Sequence, residues 1–233
     1  MGKIIVLDGI DGSGKKTQAE LLYNFLKSKD YNVHKFSFPA YDSGSSSLVR
    51  MYLNGDFGED AEKLNPYVCS SFFAVDRFVQ YVINWEKIYS QRDAILIFDR
   101  YISANAIHQG AKIKSTKERE QFYRWLYEYE VGFLKLPKED ITILLDVPVQ
   151  VSKQLLIKRN KEEGSKNDIH EKNLKYLDDS YKSMVCAYVV YRNAGYNWHR
   201  VKCVDDFGNL RNEKDILKDI IKLIKPILDE VGK

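Results

Sequence analysis

The sequence predicts an α/β fold in three layers, a parallel sheet with helices on both faces. Two observations carry this. Five short apolar runs of strand length alternate with longer segments of helical spacing. A glycine-rich turn, "DGIDGSGKKT", joins the first run to the first helical segment. At 233 residues the chain is sized for one domain with a substantial core.

The strand-like runs are Ile4 to Leu7, Val33 to Phe38, Ile95 to Phe98, Ile141 to Leu145 and Val201 to Val204. In "TQAELLYNFLKSK", Leu21, Leu22, Phe25 and Leu26 form one apolar stripe, as a surface helix requires. A long helix is expected from about Asn65 to Gln91, carrying "FFAVDR". "VPVQVSKQLLIKRN" reads as helical, and so does "HEKNLKYLDDSYKSMVCAYVVYRNAG", which closes on Gly195. "DILKDIIKLIKPILDEV" repeats apolar residues at helical steps, with Pro226 expected to bend or end it. "YDSGSSS" and "NKEEGSKND" read as loops; the second, charged and short, reads as a mobile flap.

Composition narrows the function. With 36 basic and 33 acidic residues the net charge is only +3, so no global basic bias points to nucleic acid. Cys69, Cys186 and Cys203 are odd in number and widely spaced, which fits neither a zinc site nor a disulfide framework and predicts a reducing compartment. No signal peptide is evident, Val6 breaks a myristoylation motif at Gly2, and no apolar run has membrane-span length. The expectation is a cytoplasmic protein without nucleic-acid or membrane partners.

The glycine turn nearly matches G-x-x-x-x-G-K-[ST]. Gly9, Gly14 and Lys15 are in place, but Lys16 stands where a Mg²⁺-facing hydroxyl is usual, and Thr17 comes one residue late. Following a strand and opening a helix, such a loop wraps backbone N–H groups around phosphates, with the helix N-terminus adding its positive field. Gly9, Gly12, Ser13, Gly14, Lys15, Lys16 and Thr17 are therefore the candidate ATP-binding residues. A lysine cannot ligate Mg²⁺, so the ion would rest on phosphates, waters and a carboxylate elsewhere.

With "DGIDGSGKKTQ", "FSFPAY", "FFAVDR" and "FDRYISANAIHQG" in order, the sequence resembles the thymidylate kinases over essentially its whole length. The resemblance implies a P-loop NTPase fold, a five-stranded parallel sheet flanked by helices in one domain, with a short lid at about 159–170. It implies phosphoryl transfer from ATP·Mg²⁺ to dTMP, and a homodimer, for which the helix around Cys69 to Trp85 is the candidate interface. It places Asp11 on the acceptor sugar, Phe73 on thymine, Arg77 toward O4, and Asn105 and Gln109 on the base. Asp99 would serve Mg²⁺ or its water shell, and Arg100 the acceptor phosphate. Phe38 and Tyr41 belong to "FPAY", where Ala40 replaces a phosphate-clamping arginine; Arg50 is a possible substitute. Phe73 and Arg77 are four residues apart and share a helical face, as a stacking ring and a base-reading guanidinium would; Phe72 is expected in the core. His108 stands where relatives carry a ribose-crowding tyrosine. Gly12 occupies the position of the loop arginine found in some relatives. Arg159 is the first candidate for the cation over the transferring phosphoryl, then Lys166, with Lys161 nearby; Asp168 and Glu171 match the lid's acidic pair. Lys15, Asp99, Arg100 and Arg159 form the candidate catalytic set.

Two alternatives stay open. One is another nucleotide or deoxynucleoside kinase of this fold, because Ala40 and His108 weaken exclusion of dUMP or purine nucleotides. The other is a catalytically impaired nucleotide-binding switch. A GTPase is disfavoured by the lack of an N-K-x-D motif.

Overall fold

The computed structural model describes residues 1–58, 63–163 and 174–232. Five parallel strands form one sheet: β1 Lys3–Asp8, β2 Asn32–Ser37, β3 Ala94–Asp99, β4 Ile141–Asp146 and β5 Trp198–Lys202, in spatial order β2-β3-β1-β4-β5. Alternation along β1 divides the core. Ile4 and Val6 face one layer with Trp85, Phe98 and Phe122; Ile5 and Leu7 face the other with Leu22, Ile220 and Ile224. The register sets Asp99 opposite both Leu7 and Ser37, and Asp8 opposite Leu144. The carboxyl ends of the central strands are thus level, and the loops leaving them share one edge, where open α/β sheets bind ligands.

Helices α1 Lys15–Lys27 and α9 Glu213–Val231 cover one face. On the other lie α5 Ile102–His108, α6 Thr116–Tyr127 and α8 Leu174–Asn193. Helix α2 Ser47–Asn54 packs on α3 Pro66–Gln80 around a small cluster of Val49, Tyr52, Leu53 and Cys69. Helix α7 Val149–Glu163 follows β4.

Several expectations change. Pro226 does not end α9; buried Ile220, Ile224, Ile227 and Leu228 continue the stripe past it, and packing outweighs the one backbone hydrogen bond that proline removes. The fifth strand begins at Trp198, three residues before the apolar run, because the fully buried Trp198 anchors its pairing with β4. The long helix around "FFAVDR" runs without interruption from Pro66 to Tyr89, close to the expected span, but one π turn at Tyr81–Trp85 separates α3 from α4 Glu86–Tyr89. Phe72 is only half-buried; it joins the small cluster and touches Phe57 instead of entering the main core.

Asn65 caps α3, its side chain accepting from the N–H groups of Tyr67 and Val68, with Pro66 opening the helix. Asn65→Ala should lower stability by about 1 kcal/mol, read as a lower urea midpoint at unchanged slope; an unmoved midpoint would show that the cap contributes nothing.

Candidate active site

Asp8 ends β1 fully buried, its Oδ1 accepting from Gly9 N at 2.8 Å and its Oδ2 from Ser103 Oγ at 2.6 Å. Burial pushes its carboxyl pKa up, against the charges of Arg100 and Lys15. Asp8 thereby ties the root of the glycine loop to α5. Gly14, at φ +81°, turns the chain into α1, so the positive end of that helix opens on the loop. At Gly12, φ is +75° and a Cβ would lie 2.6 Å from Ser152 O and 2.7 Å from Leu156 Cγ. Helix α7 therefore packs too closely for a side chain, which explains physically why no loop arginine stands here.

Lys15 is buried and folds back on the loop, donating to Ile10 O at 2.8 Å and Gly9 O at 3.1 Å. Burial, then the charge of Arg100, lowers its pKa to about 8 against the pull of Asp11, Asp8 and Asp99. The loop residues Gly12 to Thr17 line an open chamber enclosing about 1600 Å³, solvent at its mouth included. Gly9 does not line it. It lies beneath the loop, where a Cβ would meet Ser13 Oγ at 2.7 Å, so its part is to shape the turn. Asp99, Lys158 and Arg159 reach the same chamber, as do Cys203, Arg211 and Ile216 at its far end. Asp99 Oδ1 is buried with no hydrogen-bond partner among the described residues. Lys166, Asp168 and Glu171 lie outside the described residues, as do the lid positions 164–170 and the Lys161 side chain.

A second, smaller chamber of about 500 Å³ is lined by Phe73, Arg77, Asn105, His108, Gln109 and Tyr176, among others. The two chambers share Asp11, Phe38, Tyr41 and Arg100. Arg100 follows β3 in the left-handed region, φ +71°, its N–H held by Leu7 O at 3.0 Å. Such a conformation in a non-glycine residue costs of order 1 kcal/mol and is kept where surrounding contacts demand it. Here its Nη2 pairs with Asp11 Oδ1 and its Nη1 donates to His108 Nε2. On its other side, His108 Nδ1 lies 2.9 Å from Tyr176 Oη. Burial alone would raise the Asp11 pKa, but the Arg100 charge first, with Lys15 behind it, holds it well below the usual carboxylate range. Burial would likewise lower that of Arg100, and Asp11, Asp8 and Asp99 outweigh it.

A family model described as thymidylate kinase matches residues 7–203. The chain belongs to the thymidylate kinase family. A probable thymidylate kinase 1 of Saccharolobus solfataricus is 28% identical over 97% of this chain and 98% of its own. A probable thymidylate kinase of Pyrococcus horikoshii is 33% identical over 65% of this chain and 68% of its own. A thymidylate kinase of Mycobacterium tuberculosis is 28% identical over 64% and 68%.

Within this thymidylate kinase fold the expected site residues converge, apart from Gly9 and those beyond the described residues. Arg50, the possible substitute for the arginine that Ala40 replaces, lines neither chamber. It turns inward and donates to Tyr41 O and Ser43 O, fixing the loop after β2. That loop has a further anchor missed by sequence reading: buried Asp76, which accepts from Ala40 N at 2.9 Å and from the hydroxyls of Ser45 and Ser46. Asp76 was legible only as part of "FFAVDR", one residue before the arginine that drew attention. Glu130 and Tyr176 carried no signal, since their partners are remote in sequence.

The Lys15 shift would make phosphate binding at this loop proton-linked. Below about pH 8 Lys15 is already charged; between there and its ordinary 10.5 the free protein holds it neutral, and phosphates bound against it would restore the charge. The buried charge therefore costs stability below pH 8, a penalty relieved as pH rises toward 10.5. Calorimetry at pH 9 in buffers of different ionisation enthalpy should show uptake approaching about one proton per ATP bound. No uptake at pH 9 would mean Lys15 stays charged in the free loop.

Proposed function

We propose that this chain transfers the γ-phosphoryl group of ATP to dTMP, giving dTDP, by in-line displacement where the two chambers meet. The observation that carries the reading is the shared wall. Asp11 and Arg100 join a glycine-loop chamber to one that holds an aromatic ring, a buried guanidinium and two amides. The acceptor is a phosphate already ionised at neutral pH, so positioning and charge neutralisation suffice.

The loop N–H groups and the α1 N-terminus bind the donor phosphates. Lys15 exchanges its loop carbonyls for phosphate oxygens. Arg100 holds the acceptor phosphate in line, Asp11 holds Arg100 and meets the acceptor sugar, and Tyr41 offers a hydroxyl at the junction. Phe73 stacks on the base, with Phe38 closing the wall beneath; Arg77, Asn105 and Gln109 read the base edge. Arg159, on α7, is the cation over the transferring group. Kinases of this type normally use Mg²⁺ with ATP, and the residues fit it: Asp99 offers one unpartnered buried oxygen, and Mg²⁺ needs few carboxylates once phosphates and waters complete its shell. Mg²⁺ would supply neutralisation of phosphate charge. Lys16 is exposed on the chamber wall, where its ammonium can meet phosphate oxygens. The free thiols Cys69, Cys186 and Cys203 suit the cytoplasm, and no described helix is long and apolar enough to cross a membrane.

ADP release should be measured with dTMP, dUMP, UMP, dCMP, dGMP and no acceptor. The reading predicts turnover with dTMP, weaker turnover with dUMP, and little otherwise. Lys16→Ser should stay within about tenfold, about 1.4 kcal/mol on the barrier, whereas Arg100→Ala should lose at least about a hundredfold. A purine preference would overturn the base-pocket assignment, and silence with ATP still bound would favour the nucleotide-binding switch.

We also propose a homodimer through α3. Val68, Val75 and Val82 lie seven residues apart on one helical stripe, 53%, 42% and 51% exposed, with Phe78 beside them. Sedimentation should give a dimer, and Val75→Glu with Val82→Glu should give a monomer; a wild-type monomer at micromolar concentration would sink this.

A further inference from the structure

We propose that Glu130 is the positioning residue that makes the acceptor chamber select a base with a protonated ring nitrogen beside a carbonyl, as in thymine, over one with the reverse pattern, as in cytosine. The proposal rests on the dTMP kinase reading and deepens it. Glu130 lies in the π turn Glu128–Phe133 that extends α6, fully buried and far from the candidate motifs in sequence. It does not line the chamber; it stands behind the two side chains that do.

Its two oxygens are fully engaged. Arg77 Nε donates to Oε2 at 2.7 Å and Arg77 Nη2 to Oε1 at 2.6 Å, a two-pronged pair with both partners at most 1% exposed. Asn105 Nδ2 donates to the same Oε1 at 3.2 Å and to Ser70 O at 3.2 Å. These bonds decide what each side chain has left. Arg77 Nη1 has no protein partner among the described residues, so it is the nitrogen of that guanidinium left to donate into the chamber. Asn105 has both amide hydrogens directed at oxygens that can only accept, so its amide cannot turn over without setting its own oxygen against two others. The chamber therefore receives the Asn105 Oδ1 acceptor. A donor beside an acceptor matches a carbonyl oxygen beside a ring N–H. Cytosine offers an amino donor beside a bare ring nitrogen, which would leave buried groups unpaired, the situation in which sites discriminate most strongly.

Without Glu130, Arg77 and Asn105 would still face the chamber, but their orientation would be open. A glutamine at this position can present either an oxygen or an NH₂ group to Asn105, so both amide orientations become tolerable. Glu130→Gln should raise KM for dTMP by about tenfold while kcat falls less than about threefold, since the phosphate-handling groups are untouched.

The test compares dTMP with 5-methyl-dCMP, which has the same methyl group and nearly the same shape but the reversed hydrogen-bond pattern. The wild-type protein should prefer dTMP in kcat/KM by at least about a hundredfold, and Glu130→Gln should cut that preference by at least about tenfold. A folded Glu130→Gln variant, with unchanged KM for ATP, that keeps the full preference would overturn the proposal. Should that variant fail to fold, the wild-type protein still decides the matter. With asparagine side chains labelled with ¹⁵N, the Asn105 amide hydrogens should exchange slowly with solvent even before dTMP is added, being held by Glu130 and Ser70. Fast exchange that slows only when dTMP binds would show the NH₂ group facing the base and overturn the assignment. If wild-type protein turns over neither nucleotide, the kinase reading itself fails, while the exchange measurement still reports on Glu130.

Discussion

The Arg100–Asp11 pair is the contact on which the rest of the site depends. Asp11 belongs to the glycine loop and Arg100 to the end of β3, so one ion pair ties the loop's chamber to the smaller one beside it. The sheet register makes the pair possible by placing Asp99 opposite Leu7, so that both loops leave the same edge. Burial penalises both charges, and each is kept ionised by the other and by neighbours of opposite sign. The left-handed backbone at Arg100 is the local cost of aiming that guanidinium inward. Through His108 the same arginine also reaches Tyr176, at the described start of α8, so the end of β3 and that helix share one chain of hydrogen bonds.

Around this pair, buried carboxylates hold the surrounding elements in place. Asp8 fixes the root of the loop, Asp76 the turn after β2, and Glu130 the side chains of Arg77 and Asn105. All three are fully buried, and each accepts at least one hydrogen bond from a segment distant in the chain. Such groups convert packing into orientation, because a buried acceptor tolerates few arrangements of the donors it accepts from. Arg50 acts in the same sense with reversed polarity, donating to the carbonyls of a loop that lacks an arginine of its own.

The departures from the usual glycine-loop pattern have separate physical readings. At Gly12 the close approach of α7 and the positive φ exclude any side chain. Lys16 sits exposed on the chamber wall next to Lys15 and adds positive charge there, while Asp99, lining the same chamber, keeps an oxygen unpartnered among the described residues. Four basic residues, Lys15, Lys16, Lys158 and Arg159, thus line one chamber.

By itself the sequence determined the alternating strands and helices, the phosphate loop and most side chains of both chambers. Those signals are local: apolar runs of strand length, glycines at fixed offsets, Phe73 and Arg77 one turn apart. The tertiary structure decided what depends on contacts between segments far apart in the chain. It showed that α9 runs through Pro226, since the buried stripe on both sides compensates for the missing hydrogen bond. It moved the fifth strand to begin at Trp198, whose burial no local pattern reveals. It turned Arg50 from a candidate phosphate ligand into a loop support, and it joined Glu130 to Arg77, 53 residues away, and to Asn105, 25 away. A carboxylate in a helical segment reads in sequence as a solvated charge; only the packing of α3, α5 and the turn after α6 takes it out of water and gives it partners.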